Sequence, residues 1–130
     1  MKKRRFEELI DKALSSLPEE FSSLLDNVGI FIASRPSQDT LREMGVPKGE
    51  TLFGLYEGVP LTERTTDYGL VAPDTITLFQ KPIEESFDSE DEVAEEIRRT
   101  ILHELAHHFG IDDDRMDEIE EQWDRRPGQD

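Results

Sequence analysis

The sequence SEDEVAEEIRRTILHELAHHFG, residues 89–110, carries the signals of one long helix from its start to its end. Ser89 followed by Glu92 is a capping-box pattern, which begins a helix, and Gly110 suits the left-handed position that ends one. Apolar side chains recur between them every four residues, at Val93, Ile97, Ile101, Leu105 and Phe109. The pattern predicts a helix of about 20 residues.

All three histidines of the chain lie near the end of this helix, at positions 103, 107 and 108. His103 and His107 project about 40° apart on one face, so both can reach a single ion. Glu104 lies about 100° from His103, close enough to reach a water on that ion. In a His-Glu-x-x-His pattern, the histidines bind zinc and the glutamate is the general base. His108 lies about 140° from His103, which favours a packing or supporting role.

The residues after His107 extend the pattern. Gly110 ends the helix and Asp113 follows, which gives the spacing of an extended zincin motif with aspartate where metzincins carry a third histidine. With this motif, the chain resembles the small bacterial zincin-like metallopeptidases. The segment LYEGVPLTER, residues 55–64, and a strand at Thr75–Phe79 are also similar to that family. The resemblance covers about residues 20–123 and implies a minimal zincin fold with a poorly defined peptidase activity.

The third metal ligand has several candidates. The motif spacing favours Asp113, but Asp112 and Asp114 are adjacent, and any of the three could instead cap the last helix. Glutamates of that helix, Glu118 and Glu121, are the alternative ligands.

Metzincins also carry a methionine turn beneath the metal. Met116 follows Asp113 too closely to be taken as its equivalent. Its spacing with Ile119 and Trp123 favours core packing, so we do not place the chain in the metzincins proper.

The expected chemistry is hydrolysis at one zinc ion. Three protein ligands would leave a fourth position for water, whose pKa zinc lowers towards ~7. Glu104 would take the proton of that water and return it to the leaving amine. The available donors for the developing oxyanion are Tyr56, Tyr68 and Arg115, of which Tyr56 is explained equally well by packing. Iron, cobalt or nickel would also accept these ligands.

The rest of the chain predicts an α+β fold, a small sheet of three to four strands packed against helices. The remaining predicted helices span 4–16, a short segment after Pro18, a turn at 39–44, and 114–123; the predicted strands span 28–33, 51–56 and 74–80. We expect a single domain over residues 1–130, frayed at 1–5 and 124–130. The strand at 28–33 should be buried, and residues 57–73 are a candidate rim of the site. We expect Thr75–Phe79 to be the exposed sheet edge along which zincins bind substrate.

The charge balance indicates which classes of partner the chain can bind. The chain has 31 acidic and 15 basic residues, a formal charge of −16, which argues against nucleic acid and favours basic or neutral peptide or protein substrates. No apolar run is long enough for a membrane span. The basic start is followed by Glu7 and Glu8 where a signal peptide would be apolar. Together with the absence of cysteine, these features lead us to expect a cytoplasmic protein, with a monomer as the default.

Two other functions compete with a peptidase. One is a catalytically weak or inactive zincin-fold module that binds a metal or a peptide; the other is an acidic adaptor in which the motif is accidental. Glu104 favours the enzyme, because a purely structural metal site needs no base. The clustering of every histidine at ligand spacing argues against accident. A chain of 130 residues also leaves little material for a second lobe, so we expect a shallow cleft and weak general proteolysis.

Overall fold

The computed structural model describes residues 1–58 and 73–124, apart from the side chains of Asp113, Glu120, Gln122, Trp123 and Asp124. In chain order its helices are α1 (Lys3–Ser15), α2 (Glu19–Ser22), α3 (Gln38–Glu43), α4 (Gln80–Ser86), α5 (Glu90–Phe109) and α6 (Asp113–Asp124). Its strands are β1 (Val28–Ala33), β2 (Gly54–Glu57) and β3 (Asp74–Phe79), and a 3-10 turn (Ser23–Asn27) precedes β1. The predicted α+β class is confirmed.

The three strands form one mixed sheet in the order β1-β3-β2. β3 lies in the centre, parallel to β1 and antiparallel to β2, with Ile76 level with Ile30 on one side and Tyr56 on the other. The expectation that Thr75–Phe79 forms the exposed edge is therefore wrong, because strands pair with both of its edges. The alternation of apolar residues in a strand identifies its two faces, whereas its neighbours come from distant parts of the chain.

The outer strand β1 also differs from expectation. The run of apolar residues predicted a buried strand, but among the described strands β1 pairs on one side only, with β3. Most of its residues are only partly buried, and 55% of Phe31 is exposed. An apolar run does not by itself show whether a strand is central or outer.

The core lies between one face of the sheet and helices α1 and α5. Ile76 and Leu78 of β3 are fully buried, as the alternation predicted. Helix α5 contributes six buried apolar residues, and α1 and α2 add Phe6 and Phe21; the six are Val93, Ile97, Ile101, Leu102, Leu105 and Ala106. Each fully buried side chain of this size contributes about 1.5–3 kcal/mol relative to exposure. This packing fixes α5 against the sheet.

Both ends of α5 lie where the sequence predicted them. The Ser89 hydroxyl oxygen accepts a hydrogen bond from the Glu92 N–H at 3.1 Å, which satisfies one of the first free amides of the helix. Gly110 has φ +70°, and the Ile111 N–H donates to the Ala106 carbonyl at 2.9 Å. A side chain at Gly110 would strain that left-handed backbone.

Other parts of the chain were predicted less well. Helix α4 was not predicted, although Pro82 is compatible with a first helical turn. Residues 3–5, which we expected to fray, form the first turn of α1, and the Met1 amine lies 3.3 Å from Glu84. Most of the candidate rim, residues 59–72, and the tail 125–130 lie outside the described residues. No helix of the described part is both long and apolar enough to cross a membrane.

Candidate metal and active site

His103 and His107 lie on the outer face of α5, near its C-terminal end. Both side chains are exposed, whereas Leu102, Leu105 and Ala106 around them are buried. The helix is continuous from Glu90 to Phe109, so the two imidazoles are one turn apart. The burial pattern therefore directs the two predicted ligands to the outside of the core.

Glu104 is half-buried between this face and strand β2. Burial raises the pKa of its carboxyl above the ordinary value, while a hydrogen bond from the Tyr56 backbone N–H and the charges of His107 and His103 lower it. The net shift is upward, because desolvation disfavours the carboxylate more than these groups stabilise it. A carboxyl whose pKa is raised in this way is suited to accept and return a proton.

The pairing of β2 explains why the Tyr56 N–H is available to Glu104. The Phe79 N–H donates to the Phe53 carbonyl at 2.9 Å, so Phe53 and then Leu55 direct their backbone groups towards β3. The N–H of Tyr56 consequently points to the outer edge of the strand. Glu104 of α5 receives its hydrogen bond there.

Helix α5 contacts β2 through side chains spaced four residues apart. A Cβ atom added to Gly54 would lie 2.6 Å from the Thr100 Cγ2, Glu104 bonds the Tyr56 N–H, and His108 stacks on the Tyr56 ring. Positions 100, 104 and 108 form one row of the helix. The predicted ligands His103 and His107 lie in the row beside it.

The side chains of Tyr56, His108 and Phe109 form an aromatic cluster at the end of this row. The rings of Tyr56 and His108 are stacked, with centroids 3.9 Å apart and an interplanar angle of 14°. Phe109 meets both rings edge-on, at 6.3 and 5.0 Å. Under the cluster lies Asp74, 5% exposed, whose Oδ2 accepts a 2.6 Å hydrogen bond from the Tyr56 hydroxyl and lies 3.6 Å from the His108 Nε2. His108 thus contacts Tyr56, Phe109 and Asp74, and its supporting role stays a prediction.

The candidate third ligands lie at the start of α6 and along it. Asp112 accepts a 2.8 Å hydrogen bond from the Arg115 N–H, so this aspartate caps the helix. Asp113 is the first residue of α6, and its side chain lies outside the described part. Asp114 and Glu121 are exposed, and Glu118 is 3.1 Å from the Arg115 guanidinium.

The candidate oxyanion donors differ in their surroundings. The Tyr56 hydroxyl donates to Asp74, and the Arg115 guanidinium bonds Glu20 and Glu118. Tyr68 lies outside the described residues. Met116 and Ile119 are 7% and 1% exposed, which confirms Met116 as a core residue.

The donor set is compatible with zinc. His103 and His107 offer two imidazole nitrogens on one helix face, next to a half-buried carboxyl. Among the side chains that the structure describes, no three His, Asp or Glu residues are grouped closely enough to hold a metal ion. The side chain of Asp113 lies outside this set.

Sequence reasoning missed two features of this site. It did not identify Asp74, because an aspartate at the start of a strand gives no sign of what it will face. It also did not identify the bond between Glu104 and the backbone of Tyr56, which depends on the strand order. The placement of Tyr56 on a strand was the one available signal.

Comparisons with known proteins agree with this architecture. A family model described as zincin-like metallopeptidase matches residues 25–123. The structure of a conserved hypothetical protein from T. thermophilus is similar, with a TM-score of 0.55 and 24% identity; the match covers 84% of this chain and 94% of that one. That likeness bears on the fold alone. No curated protein matches the chain.

Proposed function

The chain belongs to the zincin-like metallopeptidase family, and from this premise we propose that it hydrolyses peptide bonds at one zinc ion held by His103, His107 and Asp113. The observation that carries the proposal is the placement of Glu104. It is half-buried, its pKa is raised by desolvation, and it lies near enough to both histidines to feel their charge. A helix-surface glutamate with no chemical task would gain nothing from such a position.

Each residue has a distinct task in this proposal. The two exposed imidazoles would hold the ion, with Asp113 as the third ligand because of its motif spacing. Bound zinc would supply a Lewis acid that activates water and polarises the scissile carbonyl. Glu104 accepts the proton of the attacking water and delivers it to the leaving amine. The upward shift of its pKa makes the Glu104 carboxylate a stronger base towards the attacking water. It also keeps the protonated carboxyl available at a higher pH, so that Glu104 can return the proton to the leaving amine.

The substrate would lie along the outer edge of β2. In the described part of the chain no strand pairs with that edge, and Glu104 is bonded to it through Tyr56. A peptide added there would gain main-chain hydrogen bonds beside the reacting groups, from the outward backbone groups that Glu104 does not already use. The formal charge of −16 favours basic or neutral peptides.

A digest of a peptide library tests this function. Zinc-loaded wild type should cleave peptides, and Glu104→Gln should lose at least about 100-fold in kcat/KM, the usual scale for a general base. Glu104→Gln should keep its zinc and lose no stability, because it removes a carboxylate that burial disfavours. The matched control is Glu95→Gln on the same helix, which should cleave like the wild type.

Two results would contradict the proposal. Equal cleavage by wild type and Glu104→Gln would mean that the carboxylate does not carry the reaction. Zinc binding without any cleavage by the wild type would favour a metal- or peptide-binding module over an enzyme.

A further inference from the structure

The buried carboxylate of Asp74 has no place in the proposed chemistry, yet it lies under the active-site edge of the sheet. Asp74 begins the central strand and is 5% exposed. A carboxylate withdrawn from water in this way is costly unless partners stabilise it. Two of its partners belong to the elements that form the site: the Tyr56 hydroxyl on β2 and the His108 imidazole on α5.

We propose that Asp74, through Tyr56 and His108, is a positioning residue for Glu104; this inference rests on the function proposed above. Asp74 accepts the short hydrogen bond of the Tyr56 hydroxyl, 2.6 Å, and so fixes that side chain against the sheet. The same Tyr56 donates its backbone N–H to Glu104. Asp74 and Glu104 are therefore joined through a single residue, whose side chain bonds one carboxylate and whose amide bonds the other.

The stack of His108 on Tyr56 fixes the second side of this arrangement. Its rings lie 3.9 Å apart and nearly parallel, and the His108 Nε2 is 3.6 Å from Asp74, within ion-pair range but too long for a hydrogen bond. His108 is one turn beyond Glu104 on the same row of α5. The side chain of Tyr56 is consequently held by Asp74 of the sheet and by His108 of the helix, which keeps β2 close to α5 beside Glu104.

This arrangement gives the Tyr56 hydroxyl a role other than that of an oxyanion donor. To stabilise an oxyanion it would have to leave Asp74, which is buried and would lose its 2.6 Å hydrogen bond. The carboxylate instead keeps the hydroxyl directed into the protein. The contribution of Tyr56 to the reaction is then the placement of its amide.

Hydrogen exchange of the amide at position 56, measured by NMR on the metal-free full chain, tests the proposal. Tyr56→Phe removes the hydroxyl and leaves the ring, and Asp74→Ala removes the acceptor. Both should raise the exchange rate of this amide about five- to tenfold, the effect of losing one ordinary hydrogen bond. Asp74→Asn keeps an acceptor oxygen for the Tyr56 hydroxyl and should restore a rate near the wild type. Ile83→Val, a buried substitution outside the cluster, is the matched control and should leave the rate unchanged.

The same variants, loaded with zinc, separate positioning from general damage. Tyr56→Phe should lower kcat about five- to tenfold with little change in KM or zinc content. The exchange measurement decides the inference even if the wild type cleaves no peptide, because it needs neither metal nor substrate. Unchanged exchange in both Tyr56→Phe and Asp74→Ala, or an equal rise in Ile83→Val, would overturn it.

Discussion

In the first half of α5, from Glu90 to Ile101, local signals and burial agree, whereas the second half, from Leu102 to Phe109, includes the half-buried carboxyl of Glu104, whose charged form burial disfavours. The first half is capped by Ser89 and buries three apolar side chains. The second half exposes His103 and His107. Two glutamates show the contrast: the pKa of Glu90 is lowered by its hydrogen bonds with Arg5, and the pKa of Glu104 is raised by burial. The first half secures the helix, and the second half holds the residues of the proposed zinc site on that rigid support.

The largest expected effect on stability comes from a substitution that removes core packing in the first half of α5 alone. Ile101→Ala removes a fully buried side chain and should cost about 2–5 kcal/mol in the free energy of unfolding. Urea denaturation measures this loss. Zinc bound per folded molecule should not change, because the histidines face outwards. The milder Ile97→Val, with an expected cost of about 0.5–1.5 kcal/mol, provides the graded control. A loss of zinc affinity that grows with the loss of stability would show that the two halves are not separable.

The same division explains what could be predicted from the sequence. The bounds of α5 follow from Ser89, the four-residue spacing and Gly110, all of which act within the helix itself. The placement of His103, Glu104 and His107 one turn apart at the end of α5 is predictable for the same reason, since the helix fixes their spacing. The sequence of α4 does not reveal its helix, because proline ends a helix unless it stands in the first turn, as Pro82 does here.

Features that depend on contacts between distant segments of the chain could not be predicted from local sequence patterns. The central position of β3 depends on pairing with β1 and β2, which no periodicity in Thr75–Phe79 reveals. The contact of Asp74 with Tyr56 joins residues 18 apart in the chain. The candidates for a third ligand lie at the start of a separate helix and along it, so the choice among them depends on how α6 lies beside α5 rather than on either helix alone.

A smaller effect is expected where the two halves meet. Gly54 faces Thr100, and the Cβ of Gly54→Ala would lie 2.6 Å from the Thr100 Cγ2. We expect a loss of about 1–3 kcal/mol in the free energy of unfolding, because either β2 or the side chain must shift. Adding Thr100→Ser removes that methyl group but keeps the hydroxyl, which donates to Glu96 at 2.9 Å.

A double-mutant cycle in urea measures how much of the stability lost in Gly54→Ala is recovered by Thr100→Ser. The pair Gly54→Ala with Thr100→Ser should be more stable than the sum of the single losses predicts. Strict additivity would mean that the close approach of β2 to α5 does not limit the packing at this point.

The smallest expected effect is a pH dependence of stability that arises from Glu90, the first residue of α5. Hydrogen bonds from Arg5 lower the pKa of the Glu90 carboxyl below its ordinary value of 4.5. The folded state therefore gains stability from this group above pH 4.5 and loses it as the pH falls through the lower, folded-state pKa. Both side chains are exposed, so the difference in Tm between wild type and Glu90→Gln should be only about 1–2 °C at pH 7.

Thermal unfolding measured from pH 7 to pH 3 checks the direction of this pH dependence. The advantage of the wild type should shrink below pH 4.5, and Asp91→Asn, which removes an equal charge from the same turn, should not reproduce the change. An advantage that grew as the pH fell would contradict the direction of the shift.

The central claim is that His103 and His107 together hold one zinc ion, and zinc content by elemental analysis tests it most directly. Three proteins, purified and exposed to zinc identically at neutral pH, suffice: wild type, His107→Ala and His108→Ala. The account predicts about one zinc per chain in the wild type and in His108→Ala, and almost none in His107→Ala. Zinc retained by His107→Ala, or no zinc in the wild type, would contradict it.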